Sequence, residues 1–143
     1  MTVQDPDVVS TSGATTPAEV DPVGANARAE QTIDVVVDDR GDGVSVVSVG
    51  GEIDMVSAPE LRSAVRAQLD GSTVLVLDMT RVRFLGSAGL AVLVEALQQS
   101  EHRGTAFSVV AEDRAVTRPL IATGLGDVFS VFPTVDEALA AQR

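Results

Sequence analysis

Strand-like and helix-like segments alternate along most of this chain, and their order limits the folds it can form. Two β-branched runs, at 32–37 and 44–49, flank a link rich in turn residues, 38–43, and predict a hairpin. Beyond the hairpin, predicted helices and strands alternate in the order β-β-α-β-α-β-α-(β)-α. Right-handed crossovers then lay successive strands parallel. We therefore predict an α/β fold: a mixed sheet of four or five strands with helices mainly on one face.

Capping residues mark where two of the predicted helices begin. Residues 57–60, Ser-Ala-Pro-Glu, have the form of a capping box with Ser57 as N-cap, and proline is tolerated in the first turn. An apolar residue then recurs at every fourth position until Asp-Gly at 70–71 ends the helix. Thr134 opens a second capping box at 134–137 and predicts a short final helix.

Two further helices are predicted from apolar spacing and helix-stopping residues. One begins near Ser87, carries an i, i+3, i+4, i+7 apolar stripe and ends at Gly104. The other covers 113–123 and contains Pro119, so it either kinks or begins late, near Thr117. Further strand-like runs lie at 74–77, 107–110 and 127–132.

The N-terminal segment, 1–31, differs from the rest of the chain. It contains no Leu, Ile or Phe, holds three of the six prolines, and has five acids against one Arg. Such a segment buries too little apolar surface to offset the entropy of ordering it. We predict a disordered acidic tail over 1–31 and a folded domain over 32–143.

The residue types that are missing exclude several kinds of chemistry. There is no cysteine, so disulfides, thiol nucleophiles and cysteine metal sites are excluded. All ten basic residues are Arg, which excludes a Walker-type phosphate loop and a Schiff-base lysine. The single histidine, His102, lies at the far end of the helix that begins near Ser87, so no Ser–His–Asp arrangement is indicated. We predict no catalytic residues, no metal site and no cofactor.

The net charge of −11 limits the partners this protein can bind. An acidic surface repels nucleic acid and anionic membranes and suits a basic protein surface. It is equally typical of a surface that is merely solvated. No apolar run reaches 18 residues, and the N-terminus does not resemble a secretory signal. We therefore expect a cytoplasmic protein that binds neither membrane nor nucleic acid.

Two acids follow predicted strands, Asp54 after the second and Asp78 after the third. If both lie at one end of the sheet, they could act in acid–base catalysis or bind a hard cation. An enzyme or small-molecule sensor is thus one hypothesis, although solvated acids at strand ends are common.

Ser87 allows two interpretations. Serine is a favoured helix N-cap, which alone would explain its position. Alternatively it is phosphorylated, since a phosphate would lie at the positive end of a helix. Its neighbours Gly86, Ala88 and Gly89 leave little side-chain cover, which permits either a tight turn or the close approach of another protein.

Three segments together resemble a known family. Gly-Glu-Ile-Asp at 51–54, the strand–loop–helix sequence LDMTRVRFLGSAGL at 77–90, and Thr-Gly-Leu at 123–125 followed by Val-Phe at 128–129 occur in the family's order and spacing. From 32 to 143 the chain resembles a STAS domain, in particular the bacterial anti-sigma-factor antagonists.

The resemblance implies a function in partner switching. In this family the unmodified antagonist binds an anti-sigma factor that is also a serine kinase, and so frees a sigma factor. Phosphorylation of the motif serine, here Ser87, abolishes binding, and a serine phosphatase restores it. The acid matched to the first loop is Asp54, so the implied partner-binding residues are Asp54, Gly86, Ser87, Ala88 and Gly89. The implied protein is a regulator and not an enzyme.

Two departures from the family motif support an alternative. Gly86 stands where the family has Asp, and Ala88 where it has a second Ser or Thr. The loss of the carboxylate removes a group that could orient the Ser87 hydroxyl or contact the kinase. The alternative is a phosphorylation-independent STAS adaptor or scaffold in a sensory or transport complex.

Overall fold

A five-stranded mixed sheet organises residues 33–142, the part of the chain that this computed structural model describes. The predicted tail, 1–31, lies outside the described residues. The elements are β1 (Ile33–Gly41), β2 (Val44–Ile53), α1 (Ala58–Leu69), β3 (Val74–Leu85), α2 (Ser87–Arg103), β4 (Ala106–Val110), α3 (Arg114–Ala122), a 3₁₀ turn (Leu125–Asp127), β5 (Val131–Phe132) and α4 (Val135–Ala141). The strands lie in the order β1-β2-β3-β4-β5, with β1 antiparallel to β2 and all other pairs parallel. The predicted mixed α/β sheet is confirmed.

The hairpin closes more tightly than the sequence predicts. Asp42 and Gly43 both have positive φ, 55° and 78°, as the central residues of a type I′ turn do. β1 therefore continues through the predicted link to Gly41. Acidic residues at 38–39 are compatible with this because β1 is an edge strand, where charge also discourages pairing with other chains.

Three of the four helices cover one face of the sheet. The core on the face covered by α1, α2 and α3 is mainly aliphatic and includes the buried residues Val47, Val49, Leu61, Val65, Leu75, Leu77 and Leu93. On the opposite face Val46, Val76 and Val110 pack against Ala138 and Leu139 of α4. The expectation of helices mainly on one face is confirmed.

β2 and β3 run further than predicted, to Ile53 and Leu85. The register of this parallel pair shifts after Ser48 and again after Gly51, so the alternation of inward and outward residues is interrupted. The sequence pattern therefore fades before the strands end. This extension carries the pair up to the two loops in which the family motifs lie.

The starts of α3 and α4 follow from their caps. The Asp113 carboxylate accepts a hydrogen bond from Ala115 N–H, so α3 begins at Arg114 and the late start near Thr117 is wrong. Pro119 lies inside this nine-residue helix. Thr134 Oγ1 accepts from Glu137 N–H at 3.1 Å, as its predicted capping role requires.

Candidate partner-binding site

The ends of β2 and β3 bring two of the three sequence motifs together. The strands stay paired up to Ile53 and Leu85. Just beyond, Gly86 N–H donates to the Ile53 carbonyl at 2.8 Å. The loop into α1, which carries Asp54, and the entry to α2, which carries Ser87, therefore start from one backbone junction.

Asp54 holds the loop that follows β2. Its Oδ1 accepts hydrogen bonds from Val56 N–H at 2.9 Å and Ser57 N–H at 3.0 Å. The bond from Ser57 N–H is the largest cause that holds the pKa of Asp54 below its ordinary value, and partial desolvation opposes it. Asp54 is thus charged at neutral pH and positions Met55 and Val56 at the surface.

Ser57 marks the start of α1, but its predicted cap bond is wrong. Its side chain is buried, donates to the Glu52 carbonyl at 2.9 Å and accepts from Asp54 N–H at 3.0 Å. It makes no side-chain cap bond to the helix. The hydroxyl ties the loop back to β2 instead of satisfying a helix N–H group.

Ser87 is the first residue of α2, and Gly86 is the N-cap. Of the two interpretations of Ser87, the one as N-cap is therefore wrong. Gly86 has extended dihedral angles, and its carbonyl accepts from Gly89 N–H and Leu90 N–H. The Ser87 side chain is exposed, and its hydroxyl bonds to no other residue within 33–142. It is therefore accessible to another protein.

The two glycines of this motif have different functions. A Cβ at Gly89 would lie 2.6 Å from both Ile53 Cγ2 and Leu85 Cδ1, so Gly89 lets α2 approach the sheet closely. Gly89 is buried, which assigns it to packing rather than to contact with a partner. Gly86 is half-buried, and a Cβ there would lie 3.1 Å from the Phe84 ring.

An open depression of about 370 Å³ surrounds Ser87. It is lined by Asp54, Met55, Phe84, Gly86, Ser87 and Ala88. Four of the five residues predicted to bind a partner therefore line one surface feature. Sequence reasoning missed Met55 and Phe84. One available signal is the pair of apolar residues inside a loop, Met55-Val56. The other is the adjacent apolar pair Phe84-Leu85 at a strand end, because only one of these two residues can face the core.

Asp78 does not join Asp54, which corrects the expectation that both lie at one end of the sheet. Asp78 lies inside β3 beside Ser48 of β2, and its Oδ1 accepts from Thr80 N–H and Thr80 Oγ1–H. Six residues of strand separate Ser48 from Asp54, about 20 Å. Within 33–142 no group of three His, Asp or Glu residues is placed to hold a metal ion.

His102 lies near the opposite end of α2 from Ser87. The exposed His102 is about 22 Å from Ser87 along α2. None of the helices between residues 33 and 142 has the length and apolar character needed to cross a membrane.

Comparison with known proteins gives consistent matches. The chain is 39% identical over 116 residues to the anti-sigma-F factor antagonist RsfB of Mycobacterium tuberculosis, covering 80% of this chain and 93% of RsfB. A solved structure of an anti-sigma factor antagonist from Mycobacterium paratuberculosis is 47% identical, with a TM-score of 0.70, covering 76% of this chain and 92% of that one.

More distant likeness extends to the fold alone. The Bacillus cell fate determinant SpoIIAA in its phosphorylated form is 16% identical with a TM-score of 0.61, covering 77% of this chain and all of that one. The family model described as STAS domain matches residues 36–138. The sheet order, the paired motif loops and these matches agree, and the chain belongs to the STAS domain family.

Proposed function

We propose that this protein is an anti-sigma-factor antagonist that binds a serine-kinase type of anti-sigma factor and so frees a sigma factor. The observation that carries the proposal is the exposed Ser87 hydroxyl, which lies at the first residue of α2 in an open depression shared with Asp54. The match to RsfB over 93% of its length supports the same function. The protein acts by binding and not by catalysis, and its place is in the cytoplasm with the transcription machinery.

Phosphorylation of Ser87 would switch the binding off. The Ser87 oxygen attacks the γ-phosphorus of ATP held by the kinase, the hydroxyl proton leaves, and ADP departs. The phosphoserine adds about −1.5 to −2 charges beside the first N–H groups of α2, which lack acceptors within the helix. The fold tolerates this charge because it suits a helix N-terminus. The partner meets it as new bulk and charge, and a serine phosphatase removes it by hydrolysis.

Gly86 and Ala88 favour a second candidate. No carboxylate stands directly before Ser87 to orient its hydroxyl, and the space beside Gly86 is limited by Phe84. In this alternative the protein is a phosphorylation-independent STAS adaptor or scaffold in a sensory or transport complex. Its binding surface would be the same, without a covalent switch.

Titration calorimetry with purified anti-sigma factors of the source organism tests the proposal. We expect one of them to bind wild type and Ser87→Ala alike, and to bind Ser87→Glu at least tenfold more weakly, a typical effect of charge placed in an interface. Ser130→Glu is the matched control because Ser130 is exposed outside the depression.

The outcomes separate the two candidates. Transfer of labelled phosphate from ATP to wild type but not to Ser87→Ala would support switching. Equal binding of wild type and Ser87→Glu would support the phosphorylation-independent adaptor instead. If wild type binds no anti-sigma factor of the organism, the antagonist function is wrong.

A further inference from the structure

Two large apolar side chains are exposed beside Ser87. Met55 is 81% exposed and Phe84 is 52% exposed, and both line the depression. By contrast, Met79, Phe107 and Phe129 are buried. Exposed aromatic and thioether side chains in a depression are typical of protein contact sites. We call Met55 and Phe84 the apolar pair.

The surrounding structure holds the apolar pair in place. Met55 lies in the turn that the Asp54 carboxylate closes by accepting from Val56 N–H and Ser57 N–H. The Phe84 ring lies against Gly86, where a Cβ would come within 3.1 Å of ring atom Cε2. The absence of a side chain at position 86 thus leaves room for the ring. Both side chains extend from backbone that is fixed at the ends of β2 and β3, so little ordering of the backbone is needed on binding.

The charge around the apolar pair indicates what kind of partner fits. The residues lining the depression include one acid, Asp54, and no base. Nearby Arg83 lies 3.7 Å from Glu52, so its charge is balanced locally. The chain as a whole carries −11. A complementary surface therefore has an apolar side chain at its centre and basic side chains at its border.

We propose that the apolar pair anchors the anti-sigma factor, which inserts an apolar side chain between Met55 and Phe84 and surrounds it with Arg or Lys. This inference rests on the proposed function and assigns its contact residues. It gives Gly86 a role in partner specificity, because an acid there would crowd the Phe84 ring and add a second carboxylate. Ser87 lines the depression itself, so a phosphate on it would add bulk and a strongly hydrated charge against the inserted apolar side chain, where desolvation penalises the charge.

Alanine substitution at four exposed apolar positions tests the inference. Met55→Ala and Phe84→Ala should each weaken binding of the purified anti-sigma factor by about tenfold. Ile121→Ala and Val128→Ala are matched controls, since both residues are more than half exposed and neither lines the depression. They should bind within about twofold of wild type. Thermal melts of all four variants check that each is folded.

Raising NaCl from about 50 to about 500 mM should weaken wild-type binding if basic groups border the contact. If Met55→Ala and Phe84→Ala bind the anti-sigma factor as tightly as wild type does, the inference is wrong and the antagonist function still stands. If wild type itself binds no anti-sigma factor, both fail. Sedimentation of wild type alone tests for a second copy at the apolar pair. A dimer that Phe84→Ala abolishes would show that this copy occupies the apolar pair, and would also overturn the inference.

Discussion

The Gly86 N–H donates a 2.8 Å hydrogen bond to the Ile53 carbonyl, and this bond joins the two segments of the proposed binding site. It continues the pairing of β2 and β3 by one residue beyond the sheet. The loop that carries Asp54 and the helix start that carries Ser87 thus leave the same point of a rigid scaffold. Their relative position depends on backbone contacts and on the packing of α2, and not on a side-chain bond between them.

Gly89→Ala should destabilise the fold, because the new methyl group would lie 2.6 Å from side-chain atoms of Ile53 and Leu85. Overpacking of this kind costs about 1–3 kcal/mol of unfolding free energy. Gly71→Ala is the control, since a Cβ there meets nothing within 4 Å. Urea denaturation measures both. Equal stability of the two variants would show that α2 can shift outward freely.

The sequence predicts Ser57 as an N-cap and allows the same interpretation for Ser87, and the structure makes the two serines different. Ser57→Ala removes the bonds of a buried hydroxyl to the Glu52 carbonyl and Asp54 N–H, and should cost about 1–3 kcal/mol. Ser87→Ala removes an exposed hydroxyl that caps nothing, and should change stability by less than about 0.5 kcal/mol. Thermal melts compare them. A larger loss of stability in Ser87→Ala would indicate that the Ser87 hydroxyl caps α2 after all.

Most of the fold is predictable because its signals are local. Capping boxes, apolar periodicity and stop residues predict the four helices of 33–142 and the order of elements along the chain. The cap bond predicted at Thr134 forms, but none forms at the starts of α1 and α2, because such a bond depends on which residue takes extended dihedral angles and where its hydroxyl points. At α2 the extended residue is Gly86, one position before Ser87.

The site is predictable only in part, for a related reason. The motif residues Asp54 and Ser87 are visible in the sequence. Their neighbours Met55 and Phe84 are only weakly marked: Met55 lies in a loop without periodicity, and at Phe84-Leu85 the register shifts between β2 and β3 obscure which residue faces out. The sequence places Asp78 at a strand end for another reason: the apolar run stops at Leu77, whereas β3 continues for seven residues beyond Asp78.

The stability that the Asp54 charge contributes should depend on pH. Its pKa is lowered in the folded state, so the charged form stabilises the fold above the unfolded value of about 3.9. That contribution is lost as the pH falls through the lowered pKa.

The variant Asp54→Asn tests this, because it retains an acceptor oxygen without the charge. The stability difference between wild type and Asp54→Asn should be largest near neutral pH and shrink below about pH 4. Urea titrations across this range measure it, and a constant difference would contradict the assignment.

Gly86→Asp should separate the stability of the site from its specificity. Position 86 is the N-cap of α2, where Asp is preferred over Gly by a few tenths of a kcal/mol and negative charge suits the helix N-terminus. Its Cβ displaces only the far edge of the exposed Phe84 ring, so the fold should be unchanged or slightly more stable.

Binding of the anti-sigma factor to Gly86→Asp should nevertheless weaken, because the Phe84 ring moves out of its position. In a Phe84→Ala background the same substitution should weaken binding less, since no ring remains to be displaced. Melts and titrations of the four proteins in this cycle measure both effects. Equal losses in the two backgrounds would show that position 86 acts independently of the Phe84 ring.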